Sequence, residues 1–113
     1  MGPITFAPEI DDRRHPVHPT EVFSDTVNRV YAVFPHSGMQ VGLKWKYVWY
    51  FNNIEFIRDE SAWQWGSEDR SYIFITPAGA GDYRLDLYVN GEMLSSGGFN
   101  VQGPVAVGGP ENR

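Results

Sequence analysis

The segment Leu43-Lys-Trp45-Lys-Tyr47-Val-Trp49-Tyr-Phe51 carries a bulky apolar group at every second position, and Tyr83-Arg-Leu85-Asp-Leu87-Tyr-Val89 repeats the pattern. Side chains alternate across a β-strand, so each run offers one apolar wall to a core and a mixed face outward. Each run ends in an Asn-led pair, Asn52-Asn53 and Asn90-Gly91. Asn and Gly tolerate the positive φ that two-residue hairpin turns require. A chain built from such units folds as an antiparallel β-sandwich.

Other segments supply further strands. Residues 4–10 alternate, but Pro8 removes a ladder donor and confines them to an edge. Residues 11–20, with charges and two prolines, read as a loop or irregular crossover. A strand is expected over 27–34, with Val30, Ala32 and Phe34 on one face. A hairpin return follows at 54–57, and the pattern breaks at 58–61. Ala62-Trp63-Gln-Trp65-Gly66 reads as a short strand or strand edge. Residues 71–76 are nearly all apolar or β-branched, as in a strand covered on both faces. Gly97-Gly98 suggests a bulge in the last strand. Seven or eight strands with no helical periodicity place the chain in the all-β class.

The 113 residues suit one domain, over 1–102, with 103–113 a flexible tail or truncated linker. A net charge of −5 argues against a nucleic-acid partner, since phosphate binding calls for a basic face. The chain has no cysteine, which removes disulfides, thiol catalysis and Cys-based zinc sites; the compartment stays open. No apolar run reaches the length of a membrane span. Four Trp, six Tyr and seven Phe exceed what a core of this size absorbs, so several rings are expected at the surface.

Gly81-Asp82-Tyr83, a Tyr opening a late strand after a Gly-bearing turn, resembles the tyrosine corner of immunoglobulin-like domains. Trp49 would then be the inner Trp of the central strand. Together with Tyr31-Ala-Val-Phe34, Gly38-Met39, Trp45 and Gly98-Phe-Asn-Val101, the pattern over about residues 24–102 resembles the small Ig-like modules appended to bacterial envelope proteases and kinases. The resemblance implies an Ig-like sandwich that serves as a non-catalytic accessory domain. The chain departs from antibody domains in lacking both bridging cysteines and in its short Trp49 to Tyr83 spacing.

Two binding surfaces are candidates. Lys46, Tyr50, Arg84 and Tyr88 fall on the outward positions of the two long strands, and Tyr with Arg is a common composition for protein recognition. The same residues could instead only brace the sheet, with Lys46 or Lys44 on Asp86 and Tyr50 on Tyr88. Trp63 and Trp65 share one side of a strand and could stack a polysaccharide, with Gln64, Glu68 and Asp69 nearby, or could seal an open edge of the sandwich. The strand edge near Pro8 offers a further route to association with another chain.

Chemistry is harder to find. His15, His18 and His36 invite a metal, but a Pro-interrupted loop does not fix ligand geometry. The pairs Asp11-Asp12, Asp59-Glu60 and Glu68-Asp69 are expected in loops, where adjacent carboxylates splay apart rather than face each other across a cleft. No nucleophile elbow or Gly-rich phosphate loop occurs. The sequence therefore points to a module without catalysis, cofactor or metal. It would bind a protein partner or a neighbouring domain of its own polypeptide, or space domains apart, with carbohydrate binding as the alternative.

Overall fold

The computed structural model describes residues 1–64 and 70–103. Two sheets hold the core. The larger has the order β4 (Val22–Ser24), β10 (Glu92–Gln102), β9 (Gly81–Val89), β6 (Lys44–Phe51), β7 (Ile54–Ala62). The smaller is β1 (Thr5–Ala7), β5 (Val30–Pro35), β8 (Arg70–Ile75). A two-stranded ribbon, β2 (Glu9–Ile10) with β3 (Pro16–Val17), completes the described elements. The fold is all-β: β4 runs parallel to β10 and every other pairing is antiparallel.

Both expected hairpin turns form. Asn52, Asn53, Asn90 and Gly91 all have positive φ, the left-handed pair that matches a two-residue hairpin to strand twist. On β6 the odd positions turn inward: Trp45 and Trp49 are buried, and Tyr47 and Phe51 pack against the core, as does Leu43 just before the strand. Phe6 from the small sheet meets Trp49 and Phe99 from the large one at 6.5 and 4.9 Å between ring centroids. Phe34 meets Trp45 at 6.2 Å. These tilted ring contacts close the two sheets over one core.

At the start of β9, Tyr83 is held from both sides. Its hydroxyl donates to the Gly79 carbonyl at 2.7 Å and accepts from the Gly79 N–H at 3.3 Å, while its ring stacks on Phe99 at 5.0 Å. Gly81 lets this corner pass close to the 52–53 hairpin, because a Cβ there would lie 2.5 Å from the Phe51 ring. Tyr83→Phe keeps the stack and loses the bonds. It is expected to lower the unfolding free energy by about 1–2 kcal/mol in urea titration; a change within error would mean the corner is not held by the phenol.

Several elements differ from expectation. The segment after Ile10 is not a plain loop, because β3 returns on β2, with Asp11 capping the turn through the N–H groups of Arg13 and Arg14's neighbour His15, each at 2.8 Å. The strand expected over 27–34 begins at Val30, and β4, with only Phe23 facing inward, is too short to show a period. β7 continues through 58–61 as an edge strand, so Asp59 and Glu60 sit on a strand, not a loop. The bulge lies at Leu94, between Met93 and Ser95, while Gly97 and Gly98 stay in register with Leu85 and Arg84. Gly97 leaves room for Phe6 instead. β8 is an edge strand with Phe74 exposed, so it is not covered on both faces. Eight strands make the two main sheets, and the β2–β3 ribbon brings the described total to ten. Trp65, residues 66–69 and 104–113 of the expected tail lie outside the described residues.

Candidate functional site

The outer face of the five-stranded sheet is set by the pairing of β6 with β9: Lys46 is opposite Tyr88, Val48 opposite Asp86 and Tyr50 opposite Arg84. Each end of this ladder therefore joins a cation to a tyrosine, in opposite order. The Lys46 ammonium sits 4.3 Å from the centre of the Tyr88 ring, and the Arg84 guanidinium 4.0 Å from the centre of the Tyr50 ring. Each contact is worth roughly 0.5–1 kcal/mol at a partly exposed site. The four side chains are half-buried, and between them Val48 and Asp86 are buried although they belong to an outer face.

The centre of the ladder is polar and satisfied. Ser96 on β10 donates to Asp86 at 2.6 Å, and Arg84 Nε lies 3.3 Å from the same carboxylate oxygen. Arg84 Nη1 also donates to the Asn53 side chain at 3.2 Å, which ties the face to the adjacent hairpin. On β7, Arg58 stands opposite Val48 and grips Glu55 with two bonds of 2.8 and 3.1 Å. That bonding holds the Glu55 carboxyl below the usual range. The structure thus unites all four residues expected on this face, Lys46, Tyr50, Arg84 and Tyr88. It pairs them differently from the bracing scheme drawn from the sequence: Lys46 rests on Tyr88, not on Asp86, and Tyr50 rests under Arg84, not against Tyr88.

Burial raises the Tyr88 phenol above its ordinary value, with Asp86 and Tyr50 adding to the shift. Burial and then the Asp59 charge do the same to Tyr47 on the opposite side of the sheet. A phenol that keeps its proton more tightly when folded contributes stability that is complete below its unfolded pKa of about 10 and is lost as pH rises through the higher folded value. The urea midpoint is therefore expected to fall as pH rises above about 10, and the fall is expected to be shallower in Tyr47→Phe with Tyr88→Phe. An equal fall in both proteins would place the cause elsewhere.

Trp63 is fully buried. It extends the β6–β7 ladder, its N–H donating to the Leu43 carbonyl at 2.6 Å and its carbonyl accepting from Gly42 at 2.9 Å. Its ring turns inward against Trp45 at 5.3 Å and His36 at 4.7 Å, both edge-on. It offers no ring face to a sugar and closes one end of the core. Its expected companion Trp65 is outside the described residues, as are Glu68 and Asp69.

The histidines have separate settings. His36 is buried, with Nε2 2.9 Å from the Ser71 hydroxyl. His15 Nδ1 lies 3.2 Å from Asp11, on an exposed turn. His18 is exposed. Among the described residues, no three His, Cys, Asp or Glu side chains are grouped to hold a metal ion, and no helix is long and apolar enough to cross a membrane. Asp59 and Glu60 point to opposite faces of β7, opposite Tyr47 and Lys46. Set against known proteins, the chain matches no family model and no curated protein is significantly similar to it.

Proposed function

We propose that this chain is a non-catalytic, immunoglobulin-like module that recognises a protein partner, or a neighbouring domain of its own polypeptide, through the outer face of β6 and β9. The observation that carries this reading is the ladder Lys46–Tyr88, Val48–Asp86, Tyr50–Arg84, in which each cation is already laid on a ring. Aromatic and cationic side chains fixed before contact lose little rotamer freedom on binding, so more of their contact energy is retained as affinity. The Ig-like assignment is supported by the Tyr83 bond back to the Gly79 backbone and by Trp49, fully buried on β6, an interior strand of the larger sheet.

The test is binding by the intact chain and by Lys46→Gln/Arg84→Gln, which keeps polar stems and removes both charges. A partner held by the wild type in crosslinking pull-downs is expected to bind the double variant at least tenfold more weakly, with the thermal midpoint within several degrees of wild type. Equal retention by both proteins would place the partner on another surface of the domain, and retention by neither would favour a spacer role.

A further inference from the structure

The two sheets have four edges, and three are poor templates for another strand. β1 is three residues long and is followed by Pro8. β4 is equally short. β7 is long but carries Glu55, Arg58, Asp59 and Glu60, the kind of charged edge that discourages pairing. β8 differs: residues 71–75 are Ser-Tyr-Ile-Phe-Ile, without a charge, and among the described residues no strand pairs on the side away from β5.

A groove runs along that edge. A cavity of about 470 Å³ is lined by Arg14, Tyr47, Ser71, Tyr72, Ile73 and Phe74. It takes in side chains from both faces of β8, so it follows the strand's flank and not one surface of the sheet. A second cavity of about 220 Å³ shares Tyr47 and Ile73 and continues beneath β7 to Asp59, Ser61 and Gln64. The first is within the size range of ligand sites. The second has oxygen acceptors and one carboxylate in its lining and no cationic side chain. Tyr47, turned inward on β6, is only half-buried because the small sheet ends at β8 and does not cover it.

We propose that the β8 edge docks an extended peptide segment of a partner protein, added as a strand beside residues 71–75, with a lysine or arginine head group seated at Asp59. Backbone bonds to the edge would supply affinity independent of sequence, and alternate side chains would supply the selection. Those directed outward would lie along Tyr72 and Phe74. One directed inward would run its aliphatic stem over Ile73 and Tyr47, and its charge would meet the carboxylate that closes the groove. This surface is separate from the outer β6–β9 face, since Tyr47 and its partner Asp59 lie on the other side of the large sheet, beside the edge of the small one.

The test uses blocked octapeptides alternating valine and threonine, with lysine, glutamine or glutamate at one central position. Amide spectra of the ¹⁵N-labelled chain are followed during titration. The lysine peptide is expected to shift amides of residues 71–75 and to bind about fivefold more tightly than the glutamine peptide, an exposed ion pair's share. Asp59→Asn is expected to erase that preference without disturbing the rest of the spectrum, since Asp59 is exposed on an edge strand. Methylating alternate peptide nitrogens leaves the protein untouched and is expected to abolish binding. The proposal is overturned if the shifts map to Tyr50 and Tyr88 and leave residues 71–75 unmoved, if glutamate binds as well as lysine, if peptides methylated at either alternate set of nitrogens both bind unchanged, or if sedimentation shows a dimer and the amides of residues 71–75 shift with protein concentration alone.

Discussion

Trp63→Ala is expected to remove a large fraction of the domain's stability, and not to leave an equally stable domain deprived of a ligand contact. The ring is fully buried and fills the space between Trp45 and His36, where the loop before β6 meets the end of β7. Truncating a buried Trp costs about 3–5 kcal/mol, through lost apolar contact and the cavity left behind. Domains of this size are stable by about 5–15 kcal/mol, so the loss is a large fraction of the total. The thermal midpoint is expected to fall on the order of 15–30 °C. A variant melting within a few degrees of wild type would show that Trp63 is not seated in the core, and would restore it as a candidate for stacking on sugar.

Trp49 gives the second large effect and a sharper comparison. It is fully buried on the interior strand β6, between Phe6 at 6.5 Å and Phe99 at 6.2 Å. Trp49→Ala is expected to cost about 3–5 kcal/mol. The indole N–H has no hydrogen-bond partner among the described residues, and an unsatisfied buried donor carries a penalty of about 1–3 kcal/mol. Trp49→Phe removes that donor and keeps most of the ring, so it is expected to cost under about 2 kcal/mol. Urea titrations of both variants decide the matter: equal costs would mean that the donor is satisfied or the site cannot close around the smaller ring.

The long strands were legible in the sequence because their information is local. Alternation over 43–51 and 83–89 gives the buried face, and Asn52-Asn53 and Asn90-Gly91 give the turns. The outer face of Lys46, Tyr50, Arg84 and Tyr88 followed from the same alternation. Its internal pairing did not, because β6 and β9 are joined by no hairpin and their register depends on packing against the other sheet. β4 escaped notice since three residues show no period, and the β2–β3 ribbon because prolines mask a two-residue pairing. β7 was cut short because most of its side chains are exposed, so nothing obliges them to alternate in polarity. Trp63 looked equally suited to a surface or a core; its inward direction comes from the ladder with Leu43, which residue type alone does not reveal.

Four of the five strands of the large sheet are two sequence-adjacent hairpins, β6–β7 and β9–β10, stitched along one seam between strands about forty residues apart, with β4 added at the edge. Each hairpin closes a short loop and can form within microseconds, whereas the seam waits on a far larger loss of chain entropy. The folding rate is accordingly expected to depend on seam residues such as Val48 and Leu85 more than on either turn. Stopped-flow measurements on Val48→Ala and Leu85→Ala test this: slowed refolding places the seam in the rate-limiting step, and faster unfolding alone places it afterwards.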